Sequence, residues 1–212
     1  MSDQCSTSPT AYPSDCELLE GYRTRARERD NRADDPERKL ALEKARDVLL
    51  LLLDVDGVLT DGNLLYSGNG EESKAFNTQD GFGLRLLREA GVAVGVITAR
   101  TSEVVARRAN ELKIGHIYQG VGNKNEAFKD VMRVTGLKPY QIAYMGDDWL
   151  DLVLLQQVGL AIVPANGARE VKEIAHFITE RSGGAGAVRD ACDLIIEGKN
   201  LLMELLQKYK NR

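Results

Sequence analysis

The chain has 212 residues, enough for one ordinary domain with appendages, and long enough to bury a substantial core. Its 28 basic and 32 acidic side chains leave a net charge of −4, which argues against nucleic acid or an anionic membrane surface as the main partner. Three widely spaced cysteines, Cys5, Cys16 and Cys192, form neither a disulfide framework nor a zinc cluster and suit a reduced cytoplasm.

Residues 1–35 are rich in Ser, Thr, Pro and mixed charge and read as an N-terminal extension; 36–212 read as the single folded domain. The arginines from Arg23 to Arg32 are interleaved with acids, as on a solvated, partly helical segment. The longest apolar run, Val48 to Leu53, spans six residues, against the ~20 a membrane helix requires. With no apolar stretch in the first 40 residues to act as a signal peptide, the expectation is a soluble protein of the cytoplasm.

A short helix is expected from "ERKLALEKARD" into the first strand. Thereafter short apolar runs (48–54, 92–98, 116–120, 141–147, 160–164) alternate with segments of helical periodicity (81–91, 102–113, 124–136, 148–159). This is the pattern of an α/β fold: a three-layer, Rossmann-like, mostly parallel sheet with helices on both faces. Residues 60–81 break the rhythm and read as two short strands about Asn69-Gly70, a β-hairpin flap projecting from the end of the first strand.

Ligands of an open parallel sheet bind beyond the carboxyl ends of its strands. There the first strand ends in Asp54, directly after five leucines, with Asp56 two residues on. The second ends in Thr98, the fourth in Asp147 and Asp148 with Asp151 a turn later, and Lys124 opens the helix between the third and fourth. Helix capping explains Asp148 or Asp151, but not Asp54. Crowded carboxylates persist only when protons or a cation neutralise them, and an all-oxygen ligand set favours magnesium with a phosphoryl group as its guest. His116 and His176 lie in or beside apolar runs and read as packing residues.

The runs D-V-D-G-V-L-T-D-G, I-T-A-R, G-N-K and G-D-D-W-L-D resemble, in order, the four motifs of the haloacid dehalogenase superfamily of phosphotransferases. That resemblance implies Asp54 as nucleophile, Asp56 as general acid and base, and Mg2+ held by Asp54, the Asp56 carbonyl and Asp147. Thr98 and Lys124 would stabilise the phosphoryl charge, with Asp148 and Asp151 steadying the metal's waters or Lys124. The intervals from Asp56 to Thr98 and from Thr98 to Lys124 leave no room for a cap domain.

Within the superfamily, N-G-E-E-S-K-A-F-N-T-Q-D-G-F-G, Y-Q-G-V-G-N-K and G-G-A-G-A-V-R-D resemble the capless, tetrameric phosphatases that act on 3-deoxy-D-manno-octulosonate 8-phosphate in lipopolysaccharide synthesis. This implies a sugar acid phosphate as substrate and a homotetramer. Asp56, Asn77, Thr78, Gln79, Asp80, Gly81, Arg85, Arg100, Arg108 and Lys124 would contact the substrate, and Arg189 would reach a neighbouring subunit's site. Gln79 stands where these phosphatases often carry a basic residue. Two alternatives share the motifs: a phosphatase of sialic or deaminated sialic acid 9-phosphate, and a catalytically silent tetramerisation module. The Asp-x-Asp pair argues against a phosphate-receiver domain, whose acceptor stands alone at its strand end.

Overall fold

Four leucines, Leu50–Leu53, form β1, and their side chains alternate between two separate cores. In the computed structural model, which describes Glu20 and residues 35–211, the other strands are β2 (Leu65–Tyr66), β3 (Glu72–Ser73), β4 (Ala93–Ile97), β5 (His116–Tyr118), β6 (Ile142–Met145), β7 (Leu160–Val163) and β8 (Phe177–Ile178). Six of them make one sheet in the order β5-β4-β1-β6-β7-β8, every pairing parallel. The helices are α1 (Pro36–Ala45), α2 (Thr78–Glu89), α3 (Glu103–Glu111), α4 (Lys124–Thr135), α5 (Leu152–Leu155), α6 (Arg169–Lys172), α7 (Ala187–Gly198) and α8 (Leu202–Lys210).

Leu51 and Leu53 pack in a core with Leu84, Leu87, Val188 and Ile195 from α2 and α7. Leu50 and Leu52 pack in another with Phe128, Val131 and Leu154 from α4 and α5. Burial on both faces is what a run without polar alternation demands, and it gives the expected three layers. The chain from Asp56 to Thr98 holds only the β2–β3 hairpin and α2, and that from Thr98 to Lys124 only α3 and β5, so no cap domain is present.

The hairpin forms about Asn69-Gly70 as expected, β2 pairing antiparallel with β3; it closes through residues 67–71, with Gly70 N–H donating to Ser67 at 2.9 Å and Ser67 N–H to Glu71 at 3.0 Å. Two details depart from the sequence expectation. The two-residue edge strand β8 is too short to show a periodicity. The stretch from Thr78 starts α2 instead of continuing the hairpin, because the Asn77 side chain caps that helix by accepting from Gln79 N–H at 2.7 Å.

The chain divides into two compact units, 1–39 and 40–212. In the first, Lys39 N–H donates to Asp35 at 3.0 Å within the opening turn of α1. Residues 1–19 and 21–34, which include Cys5, Cys16 and the arginine cluster, lie outside the described residues. No helix among the described residues is long and apolar enough to cross a membrane.

Candidate active site

Parallel pairing brings the tips of β1, β4 and β6 to one edge of the sheet. Asp54 N–H continues the β1 ladder, donating to Met145 at 2.9 Å, so its carboxylate stands level with Asp147 just beyond β6. Thr98, 3% exposed, follows β4. Lys124 is the first residue of α4, behind the N-cap Asn123, and its side chain runs inward to near-complete burial. Its Nζ lies 3.0 Å from Asp54 Oδ2 and 2.6 Å from Asp151 Oδ1, and donates to Tyr144 Oη at 3.1 Å.

Asp151 is fully buried and fully used. Its Oδ1 accepts from Lys124 and from Tyr144 Oη at 2.5 Å, and its Oδ2 from the backbone N–H of Asp147 at 2.9 Å and of Asp148 at 3.2 Å. Its carboxylate therefore braces Lys124 and the turn after β6. The Asp148 side chain caps the following turn, accepting from Trp149 N–H at 2.8 Å. Carboxylate oxygens of Asp54, Asp147 and Asp151 lie within 4.8 Å of one another. With Asp151 saturated, Asp54 and Asp147 are the pair left to face a cation.

The electrostatics agree. Burial, opposed by Lys124 and reinforced by Asp151, raises the Asp54 pKa to about 6. Burial, then Asp151 and Asp54, raises Asp147 to about 7. Burial also works against the Lys124 ammonium, but Asp54 and Asp151 outweigh it and hold its pKa above the ordinary lysine value. Three carboxylates against one ammonium leave the cluster negative, and among the described residues the Asp147 carboxylate accepts no hydrogen bond. Its oxygens are packed so closely on Gly57 that a Cβ there would lie 1.9 Å from Oδ2. An all-oxygen site that is short of positive charge fits a hard divalent cation such as magnesium.

Asp56 faces the hairpin. Its Oδ1 pairs with the Lys74 ammonium and its Oδ2 lies 3.6 Å from Arg100 Nε. Arg100 Nη2 donates to Tyr66 Oη at 2.8 Å and to Glu72 at 3.1 Å, while its Nε is buried without a hydrogen-bond partner among the described residues. The guanidinium therefore stands at the site's edge with its Nε turned toward Asp56 and the rest of its side chain partly exposed. Sequence reasoning missed Lys74, Glu72 and Tyr144. The available signal for Tyr144 was a phenol inside an otherwise apolar strand, since a buried tyrosine hydroxyl needs a partner.

The remaining candidates are spread further. Gln79 Oε1 accepts from Arg181 Nη1 at 2.7 Å, and Thr78 is exposed in the first turn of α2. Asp80 is 1% exposed; its Oδ1 accepts from Arg189 N–H at 2.8 Å, and burial raises its pKa. Gly81 packs on Arg108, where a Cβ would come within 2.6 Å of Nη2. Arg85 pairs with Glu89 at 3.2 Å, Arg108 with Glu111 at 3.3 Å and Arg189 with Asp193 at 2.8 Å, each on its own helix. None of these three pairs with the carboxylate cluster of its own chain. Gly183 and Gly184 seal the loop after β1 from within the chain, with Gly184 N–H donating to Val58 at 3.0 Å.

Residues 95–190 match the haloacid dehalogenase-like hydrolase family. Across 162 residues, 76% of this chain and 86% of the relative, the sequence is 42% identical to the 3-deoxy-D-manno-octulosonate 8-phosphate phosphatase of Yersinia pestis. The chain belongs to the 3-deoxy-D-manno-octulosonate 8-phosphate phosphatase family. The crystal structure of the Yersinia pestis phosphatase superposes with a TM-score of 0.76 at 39% identity, covering 77% of this chain and 89% of that one. The phosphatase of Moraxella catarrhalis, solved in complex with a magnesium ion, a phosphate ion and KDO, superposes at 0.78 with 38% identity, over 80% of this chain and 97% of that one. The metal in that relative accords with the oxygen donors that Asp54 and Asp147 offer here.

Proposed function

We propose that this chain is a cytoplasmic, magnesium-dependent phosphatase that hydrolyses 3-deoxy-D-manno-octulosonate 8-phosphate to the free sugar acid and inorganic phosphate, in lipopolysaccharide synthesis. The observation that carries the reading is the convergence of Asp54, Lys124 and Asp147 at one sheet edge with Asp56 two residues from Asp54.

The Asp54 carboxylate attacks phosphorus, forming the carboxylate–phosphorus bond of an aspartyl-phosphate as the bond from phosphorus to the sugar oxygen breaks. Asp56 donates the proton that the departing alkoxide requires. A water then attacks the same phosphorus while Asp56 takes up its proton, and phosphate leaves with Asp54 regenerated. Lys124 and the Thr98 hydroxyl bear on the phosphoryl oxygens, Lys124 held in place by Asp151 and Tyr144. Magnesium, held by Asp54, the Asp56 carbonyl and Asp147, supplies the positive charge that lets an anionic nucleophile meet an anionic phosphate.

Arg100 is assigned to the substrate, along with Asn77 to Gly81, Arg85 and Arg108; a guanidinium fork suits both the carboxylate and the phosphate of a sugar acid phosphate. The assembly is taken to be a homotetramer in which Arg189 reaches a neighbour's site. Exposure of Leu64, Leu65 and Tyr66 on the hairpin, 42%, 57% and 59%, supports self-association through that element.

A phosphate-release screen tests the reading, with magnesium and with 3-deoxy-D-manno-octulosonate 8-phosphate beside sialic and deaminated sialic acid 9-phosphates. Preference for the eight-carbon ester is expected, and Asp54→Asn should abolish release while leaving the circular dichroism spectrum intact. Turnover by the asparagine variant would rule out Asp54 as nucleophile, and preference for a nine-carbon ester would reassign the substrate.

A further inference from the structure

Lys74, one residue beyond β3, turns its side chain into the protein. That side chain has no exposed surface, and its ammonium pairs with Asp56 Oδ1. The other oxygen of Asp56 faces Arg100 Nε at 3.6 Å. Glu72 lies 3.6 Å from Lys74 Nζ and 3.1 Å from Arg100 Nη2, which links the two cations, and Ser102 Oγ donates to its second oxygen at 2.5 Å. Asp56 thus carries one cation on each oxygen, one from the hairpin and one from the loop after β4.

The two cations differ in access. The Arg100 side chain is 41% exposed and can meet a substrate; the Lys74 side chain has no exposed surface and cannot. A buried ammonium is retained only when it is paired, so Lys74 is committed to Asp56 and Glu72. An aspartate carboxyl rotates easily about its last torsion, and proton transfer is sensitive to where its oxygens point. A partner fixed in the protein interior removes that freedom.

We propose that Lys74 is a positioning residue that orients Asp56 toward the leaving oxygen of the substrate. This rests on the phosphatase reading above. When the bond between phosphorus and the sugar oxygen breaks, the proton passes from Asp56 to that oxygen; Lys74 takes no part in the transfer itself.

The test exploits the leaving group, because an alkoxide needs a proton to depart and p-nitrophenolate does not. Single-turnover cleavage of the sugar acid phosphate is compared with the burst of p-nitrophenol from p-nitrophenyl phosphate, in wild type and in Lys74→Met. The expected result is a fall of about tenfold or more on the alkyl ester, with less than about a threefold change in the aryl burst and in KM, and partial recovery in Lys74→Arg. Equal falls on both esters, or a raised KM with kcat intact, overturn the proposal. Lys74→Gln carries the same comparison if the methionine variant does not fold, a loss selective for the alkyl ester supporting the proposal and an equal loss refuting it. Should wild type prefer another sugar acid phosphate, only the substrate assignment fails and that ester serves as the alkyl probe. Should wild type release no p-nitrophenol, the phosphatase reading fails and the Lys74 proposal falls with it.

Discussion

The Lys124 ammonium lies 3.0 Å from Asp54 Oδ2, and its second carboxylate, Asp151, holds it there from 2.6 Å. Both partners are more than four-fifths buried at the side chain, so the pair belongs to the interior rather than the surface. Lys124→Met leaves two buried carboxylates without their cation and should cost about 3–5 kcal/mol of stability, with a loss in kcat on the order of 100-fold or more. Tyr144→Phe, which removes one donor to Asp151 and leaves Lys124 in place, should cost about 1–3 kcal/mol. Urea denaturation and steady-state kinetics of both variants check the order; a phenylalanine variant as unstable as the methionine one contradicts it.

Proton and metal compete at Asp54 and Asp147. Both carboxyls titrate above their unfolded-chain range, near 6 and 7, when no cation is present. The folded metal-free protein therefore holds protons more tightly than the unfolded chain; this contribution to stability is full below about pH 4 and is lost as pH rises through 6 and then 7. Magnesium takes the protons' place. Its dissociation constant should fall on the order of 10–100-fold between about pH 5.5 and 7.5, and the rise in Tm on adding magnesium should grow over the same interval. Calorimetric titration at both pH values measures this, and an affinity flat across the window refutes the assignment of Asp54 and Asp147 as ligands.

Gly57 is irreplaceable for two separable reasons. It has a φ of +85°, and a Cβ would meet Asp147 Oδ2 at 1.9 Å. Gly57→Ala should lose about 1–2 kcal/mol from the backbone alone and, by displacing Asp147, weaken magnesium by at least about tenfold. Gly70 is the control: its φ is +84° but a Cβ there meets nothing within 4 Å. Gly70→Ala should show the backbone loss with magnesium affinity unchanged. Equal magnesium binding in the two variants, read by titration, would separate Gly57 from the metal site.

Arg100 turns its Nε toward Asp56 at 3.6 Å and leaves 41% of its side chain exposed at the site's edge. Arg100→Ala should raise KM for the sugar acid phosphate by about tenfold and for p-nitrophenyl phosphate by less than about threefold. An equal rise on both esters would assign Arg100 to the hairpin through Tyr66 and Glu72, with no part in recognising the sugar acid.

Much of the site is legible in the chain because strand tips in a parallel sheet share an edge: once 50–53, 93–97 and 142–145 are read as buried strands, Asp54, Thr98 and Asp147 have one place to converge. Lys124 follows for the same reason, as the first residue of the helix after β5. Periodicity does not reach the two-residue β8, nor does it say that Asn77 spends its side chain capping α2.

The sequence by itself determined the layered α/β architecture and the residue types available for phosphoryl chemistry, since apolar period and motif order are local properties of the chain. Only the tertiary structure decided how those groups divide their labour. Asp151 proves to be a saturated brace, Lys74 is a buried partner of Asp56, and Arg85, Arg108 and Arg189 pair on their own helices. Which carboxylate keeps an open lone pair and which cation loses its water depends on packing between segments far apart in sequence, and that information exists only once the chain has folded.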